Sequence, residues 1–144
     1  MNHLNSILLE GILVSDPRQI QLSGPPEGVR LVKFDLASNR YYIDRNGEKA
    51  KETVFIPVQC WGSLGDRCLE KLSKGMECRT VGRLRLCKWI SSDGSTRRSI
   101  EIVANHLEFR AKKAKAGDKP KTEILDDENN ESDTACEVEV YYTF

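Results

Sequence analysis

The sequence has few cysteines, and none of them stands close to another. Its five cysteines are separated by at least eight positions, so the Cys-x-x-Cys spacing of structural zinc sites and thiol redox sites is absent. Their odd number also argues against a framework of disulfides. The pattern predicts reduced thiols, no metal site and no cofactor.

Long apolar runs and catalytic patterns are missing too. No stretch approaches the roughly 18 apolar residues of a membrane helix, and the polar start does not match a signal peptide, so we expect a cytoplasmic protein with no membrane partner. His3 and His106 have no metal-ligand neighbours at useful spacing. No glycine-rich loop is placed to cradle phosphate, and no nucleophile can be matched with a base. Only the cysteines support an enzyme, so we predict a protein without catalytic activity.

Basic residues are absent from the end of the chain. All 22 Lys and Arg lie at or before Lys121, whereas residues 122–144 contain eight of the 22 Asp and Glu. Residues 1–121 therefore carry a formal charge of +8 and residues 122–144 one of −8. A basic body is suited to a polyanion, and an acidic tail ending in an aromatic residue is suited to a protein partner.

The apolar pattern is mostly that of β-strands. Five segments alternate or cluster apolar residues as strands do, with hairpin signals at Asn46-Gly47 and Asp93-Gly94. Gly11 interrupts the first segment and suggests a bulge or a close backbone approach. A helix is predicted after the third strand from apolar residues on one face: Leu64, Cys68, Leu69 and Leu72. This order predicts an all-β fold, a five-stranded Greek-key barrel of the OB type.

The apolar period ends after Arg110. Residues 111–121 form a basic linker and residues 122–144 an acidic segment, and neither is hydrophobic enough to fold alone. We therefore expect a barrel domain at 1–110, a linker at 111–121 and a disordered tail at 122–144. Residues 137–142 alternate acidic and apolar, and could instead add as a strand to the edge of a sheet.

Strand alternation places aromatic and basic side chains on the face opposite the core. In residues 53–61 one parity is apolar, and the other carries Phe55, Gln59 and Trp61. In the fourth strand, Leu84 and Leu86 are expected in the core. The residues on or beside the opposite face there are Arg83, Arg85, Lys88 and Trp89. In the second strand they are Lys33, Asn39 and Tyr41, with Arg40, Tyr42 and Arg45 clustered at its end.

These residues predict a nucleic-acid interface. Arginines interleaved with aromatics form a stacking platform in a positive groove, and such a surface binds single strands with little sequence preference. Taken alone, any of Phe55, Trp61 and Trp89 would be interpreted as core or subunit interface. Their joint occurrence on the non-core parity, beside arginines, favours binding.

The order of the short motifs resembles that of bacterial single-stranded DNA-binding proteins. The motifs are NSILLEG at 5–11, Asp16-Pro17, VKFDLASNRYY at 32–42, Gly47-Glu48, Thr53–Phe55, Trp61-Gly62 with Leu64, LSKG at 72–75, GRL at 82–84, Lys88-Trp89, Asp93-Gly94 and EIVA at 101–104. The resemblance implies an OB fold, a homotetramer and sequence-independent binding to single-stranded DNA. It also implies that Phe55, Trp61 and Trp89 stack on bases, with Tyr41 or Tyr42 at a fourth stacking position.

The same resemblance implies an acidic tail tip that recruits enzymes of DNA replication, recombination and repair. The candidate partner-binding residues are Asp126, Asp127, Glu128, Tyr141, Tyr142 and Phe144. Family tails have a Gly- and Pro-rich spacer and end in aspartates followed by Ile, Pro and Phe. This chain has a short linker and ends CEVEVYYTF, with Thr143 at the proline position. The predicted function is to coat and protect exposed single strands at the nucleoid; the alternative is an RNA-binding or replication-restart OB module.

Overall fold

Seven strands and one helix make up the part of the chain that the computed structural model describes, residues 2–21, 29–110 and 122–126. In chain order they are β1 (Ile7–Leu13), β2 (Arg18–Ile20), β3 (Leu31–Ile43), β4 (Lys49–Trp61), α1 (Gly62–Lys71), β5 (Glu77–Ile90), β6 (Thr96–Arg110) and β7 (Thr122–Asp126). Within these ranges no helix has the length and apolar character needed to cross a membrane.

The five long strands close into a barrel, which confirms the predicted fold class. The sheet runs β1-β5-β6-β4-β3, and β3 returns to β1 through the pairs Ile12 with Ala37 and Leu13 with Leu36. The pairing of β4 with β6 is parallel, and the other described pairings are antiparallel. The helix follows the third of the long strands, as predicted, and the short β2 pairs with β3.

Both predicted hairpin turns form. In the β3–β4 turn, the Asp44 carboxylate accepts hydrogen bonds from the N–H groups of Asn46 and Glu48 at 2.8 and 2.9 Å. Gly47 has a φ of 80°, a conformation that glycine adopts readily. In the β5–β6 turn the N–H of Ser95 donates to Asp93 at 2.9 Å. These turns fix the register of both hairpins, and hence which side chains lie opposite each other.

The main core fills the barrel and continues under the helix. Its largest fully buried side chains include Phe34, Leu36, Ile102, Leu107 and Leu64 of α1. Gly11 lies where β1 passes close to β3: a Cβ atom there would be 2.7 Å from the carbonyl oxygen of Ala37. This close approach confirms one of the two interpretations of that glycine.

Two hairpins extend beyond the barrel and expose residues that share the core parity. Leu84 and Leu86 are exposed, so the expectation that they are core residues is wrong. Their cross-strand partners are Ile102, which is fully buried, and Ile100, which is exposed. Alternation in the sequence gives the side of the strand on which a residue lies. It does not show where along the strand the barrel core ends.

Residues 122–126, expected to begin the disordered tail, instead form β7 along β6. The edge is open there because the pairing of β4 with β6 covers only Ile102 and Val103. Leu125 is buried in the main core, which explains why a short segment is held. The remaining linker and tail, residues 111–121 and 127–144, lie outside the described residues.

Candidate nucleic-acid interface

The strand registers place most of the predicted interface on one side of the sheet. Residues paired across neighbouring strands, and residues two apart along one strand, project to the same side. We call this side the front face. Its residues include Leu31, Lys33, Asp35, Asn39 and Tyr41 of β3; Lys51, Phe55, Gln59 and Trp61 of β4; Arg83, Arg85, Cys87 and Trp89 of β5; and Arg97, Glu101 and Val103 of β6. The opposite side is the back face.

At one end, the front face is covered. Trp61 lies on it, as predicted, but only 7% of its surface is exposed. The ring forms a small second core with Leu31 and Val103, against which Ile20 and Val29 pack. The Trp61 ring is therefore buried by residues from other segments, including Ile20 of β2, which lies beside β3 in the same sheet.

A buried polar group lies beside this cluster. The Lys33 ammonium donates to the two carboxylate oxygens of Glu101 at 3.1 and 2.9 Å. The side-chain amide of Gln59 donates to the same carboxylate and to the Cys87 sulfur, the latter at 3.3 Å. Because Lys33, Gln59 and Glu101 are all buried, each charge depends on its partner for stabilisation. Lys33 was predicted to contact DNA, but in the single chain its ammonium group is paired with the Glu101 carboxylate.

At the other end, the front face is open. Phe55 is 63% exposed, Tyr41 is 73% exposed, and Trp89 is half-buried. The Lys51 ammonium lies 5.8 Å from the centroid of the Tyr41 ring. Arg97 is paired with Trp89 across the β5–β6 hairpin. Aromatic rings with adjacent cations are therefore accessible at this end.

The registers also separate the two tyrosines. Tyr41 is opposite Lys51, on the side of Phe55, whereas Tyr42 is opposite Ala50 on the back face. The Arg40 guanidinium lies 5.1 Å from the centroid of the Tyr42 ring and 3.4 Å from the Glu52 carboxylate. Arg40 and Tyr42 thus interact on the back face of this hairpin, and Tyr41 is the tyrosine that shares a side with the other aromatics.

The basic residues of β5 divide in the same way. Arg83 and Arg85 are half-buried on the front face, as predicted, where their cross-strand partners are Val103 and Glu101. Lys88 is exposed on the back face, opposite Arg98. Of the predicted aromatic and basic residues in these strands, seven thus lie on the front face, whereas Arg40, Tyr42 and Lys88 lie on the back face.

Sequence reasoning missed three charged residues that lie beside predicted interface residues on the front face: Lys51, Arg97 and Glu101. The Asp93-Gly94 turn carried a usable signal for Arg97, because a five-residue connection pairs Ile90 with Thr96 and hence Trp89 with Arg97. The Asn46-Gly47 turn similarly pairs Tyr41 with Lys51. No local signal identifies Glu101, whose burial depends on a lysine 68 positions earlier.

Two of the thiols, those of Cys78 and Cys87, are not activated nucleophiles. Among the described residues, Cys60, Cys68, Cys78 and Cys87 form no disulfide. Burial raises the pKa of Cys78 to about 12, and burial together with the nearby Glu101 charge raises the pKa of Cys87. Both thiols are therefore protonated at neutral pH, opposite to the requirement for thiol catalysis. Within the described ranges no three His, Cys, Asp or Glu side chains form a metal-binding group.

Of the predicted partner-binding residues, Asp126 is the last residue of β7. The other five, Asp127, Glu128, Tyr141, Tyr142 and Phe144, lie outside the described residues.

Comparison with known proteins identifies the family that the chain resembles in sequence. Residues 4–110 match the model of the single-strand binding protein family. Single-stranded DNA-binding protein 2 of Chlorobaculum tepidum is 29% identical over 134 residues, which cover 92% of this chain and 88% of that protein. The single-stranded DNA-binding protein of Aquifex aeolicus is 33% identical over 104 residues, covering 72% of this chain and 68% of that protein.

A solved structure shares the fold. It is that of the Plasmodium falciparum SSB complex with ssDNA, with a TM-score of 0.64 at 23% identity, covering 88% of this chain and 98% of that chain. The family match covers most of the chain, including every strand of the barrel. The chain therefore belongs to the single-strand binding protein family, whose members bind DNA without catalysis.

Proposed function

We propose that the front face binds single-stranded DNA with little sequence preference and so protects exposed strands. The observation that carries the proposal is the placement of Tyr41, Phe55 and Trp89 on one side of the sheet, accessible and interleaved with cations. Those cations are Lys51, Arg83, Arg85 and Arg97. Every base presents a π-face to an aromatic ring, which contributes about 1–3 kcal/mol per base, while the cations neutralise phosphates.

Trp61 and Lys33 have different parts in this proposal. Trp61 is buried in the second core, against which Ile20 and Val29 pack, so a base stacks on its ring only after this packing rearranges. Lys33 neutralises Glu101, which would otherwise place an uncompensated negative charge beside Arg85 on the DNA-binding side. We therefore include Trp61 as a further stacking residue and Lys33 as a residue that keeps the face attractive to phosphate.

The residues on the back face have a separate place in the proposal. Arg40 and Tyr42 lie on the β3–β4 hairpin and Lys88 on the β5–β6 hairpin, where both hairpins extend beyond the barrel. A DNA strand that passes around the end of a hairpin would contact these side chains after leaving the front face. Their contribution is therefore expected with long oligonucleotides and not with short ones.

Assembly into a homotetramer is also part of the proposal. Leu84, Leu86 and Ile100 form an exposed apolar strip on the back face, and Leu8 of β1 is exposed as well. Among the described residues, Ile7–Gly11 have a paired strand on one edge only. Apolar patches and open strand edges are typical of subunit interfaces. Light scattering should give a mass four times that of the 16.3 kDa chain, and a monomer mass would contradict this assembly.

The acidic tail is proposed to recruit enzymes of replication, recombination and repair, through the six candidate residues that include Tyr141, Tyr142 and Phe144. Its charge of −8 against +8 in residues 1–121 supports a second role, competition with DNA for the front face. A tether of this length gives an effective concentration on the order of mM.

Removing residues 127–144 should tighten DNA binding, most clearly at low salt, whereas deleting Phe144 alone should abolish only partner capture. Unchanged DNA affinity after the full removal would refute the competition.

A competition experiment tests the DNA-binding proposal and separates it from its alternative. Labelled oligothymidine is bound to the full chain, and unlabelled oligothymidine, oligouridine and duplex DNA are added as competitors. Because a duplex hides its base faces, we expect it to compete about tenfold or more weakly than oligothymidine. Preference for oligouridine would favour the RNA-binding module. A protein with the proposed function works where single strands are exposed, in the cytoplasm at the nucleoid.

A further inference from the structure

The segment that forms β7 is held by a defined part of the barrel. Thr122–Asp126 pairs antiparallel with β6 from Arg110 back to His106. This is the stretch of β6 that follows its short pairing with β4. An unpaired strand edge presents backbone N–H and C=O groups that any extended peptide of suitable sequence can use.

Two adjacent residues of β7 differ sharply in burial. Leu125 is 4% exposed, lies opposite Leu107 and belongs to the main core. Ile124 is 59% exposed and lies opposite Glu108 on the outer side. The edge of β6 therefore buries the aliphatic side chain of one residue and leaves its neighbour exposed, and we call the space that the Leu125 side chain fills the pocket of Leu125.

The attachment of β7 is local and short. Eleven residues, 111–121, connect it to β6, and its burial in the core depends on Leu125. Short edge strands are among the least stable parts of a fold, because few contacts are lost when they open. The main-chain pairing and the pocket thus form a site whose resident occupant can be displaced.

We propose that the β6 edge at His106–Arg110, with the pocket of Leu125, is a docking site for an extended partner peptide, which β7 occupies in the isolated chain. The resident strand defines the chemistry of the ligand: an aliphatic residue for the pocket, with an acidic residue two positions before it and another directly after it, as in TEILD. Docking of a partner would displace β7 and release Thr122–Asp126 from the barrel. The site is distant in sequence from the aromatic residues of the front face and does not depend on DNA binding.

The probe for this site is a labelled synthetic peptide of residues 119–129. In the full chain, the substitution Leu125→Asp should release β7 and empty the pocket. The peptide should then bind this variant about tenfold or more tightly than the wild type, whose own strand competes at high effective concentration. Hydrogen exchange of the 106–110 amides should be accelerated in the variant and slowed again by the peptide.

Matched controls use the neighbouring residue. A chain with Ile124→Asp should behave as the wild type, and a peptide with Ile124→Asp should still bind the Leu125→Asp chain, whereas a peptide with Leu125→Asp should not. Two-dimensional NMR verifies that the barrel is folded, and Leu125→Ala replaces Leu125→Asp if the latter unfolds. Equal peptide binding to wild type and variant, or binding to neither folded chain, would overturn the proposal. A change in oligomer mass in the Leu125 variants would also overturn it, because it would assign the edge to strand exchange between copies.

Discussion

The two ends of the front face are built from the same types of residue but differ in accessibility. At the barrel end, Trp61 is buried in the second core, and Lys33 and Glu101 are buried as an ion pair. At the hairpin end, Tyr41 and Phe55 are exposed on the parts of β3 and β4 that extend past this second core. An aromatic or a lysine on the outward side of a strand thus packs at one end and is available for binding at the other. The difference is made by the residues of other segments that pack against the face and not by the strand itself.

Breaking the buried ion pair should have the largest effect. Lys33→Met leaves the Glu101 carboxylate buried without its cation, which should lower the free energy of unfolding by about 3–5 kcal/mol. Urea unfolding of the variant measures this. The double variant Lys33→Met with Glu101→Leu should recover much of the loss, because no isolated charge remains. A Lys33→Met chain of normal stability and reduced DNA affinity would instead assign Lys33 to direct phosphate contact.

Removing one tryptophan at a time should separate packing from stacking. Trp61→Ala should lower the free energy of unfolding by about 3–5 kcal/mol, since its ring fills the second core. Trp89→Ala should leave the melting temperature nearly unchanged and weaken DNA binding by about 1–3 kcal/mol. Thermal melting and oligothymidine titration of both variants test the pair. Large destabilisation by Trp89→Ala with normal DNA affinity would show that this residue packs as Trp61 does.

The barrel and the side of each strand could be predicted from sequence, but accessibility could not. Alternation and the Asn46-Gly47 and Asp93-Gly94 turns fix which side chains are neighbours, so Phe55, Trp61 and Trp89 were placed on the correct side. The burial of Trp61 depends on Ile20 and Val29, which belong to another part of the chain. Such non-local cover leaves no periodic trace in the sequence.

The same limit explains two other differences. Leu84 and Leu86 lie on the same side of β5 as the core residues but beyond the end of the barrel core, so their exposure reflects the length of the hairpin. The strand β7 depends on an open edge of β6, and that edge becomes visible only once β4 is seen to pair with Ile102 and Val103 alone. Sequence patterns describe a segment, whereas both outcomes are set by its neighbours.

The tyrosine pair provides a smaller and more selective test. Tyr41→Ala should weaken binding of a short oligothymidine by about 1 kcal/mol, the lower end of the range for one stacked base, because the ring is exposed on the front face. Tyr42→Ala, the matched control on the back face, should have less effect with the same oligonucleotide. Fluorescence anisotropy measures both. A larger effect from Tyr42 would mean that short strands contact the back of the hairpin.

The smallest expected effect is on salt dependence. Each phosphate neutralised on a single strand contributes about −0.7 to the slope of log K against log salt concentration. Replacing Arg83 or Arg85 by Gln should therefore reduce the slope by roughly that amount, whereas Arg40→Gln should change it less with short strands. Titrations at several salt concentrations provide the slopes. Equal slopes in all three variants would exclude Arg83 and Arg85 as phosphate contacts.

Fluorescence of single-tryptophan chains tests the comparison most directly, since Trp61 and Trp89 are the two tryptophans of the sequence. Trp61→Phe leaves Trp89 as the reporter of the open end, and Trp89→Phe leaves Trp61 as the reporter of the covered end. With saturating oligothymidine, we predict strong quenching of Trp89 and weaker quenching of Trp61. Unchanged Trp89 emission, or a response from Trp61 alone, would contradict the assignment of the hairpin end as the accessible part of the DNA-binding face.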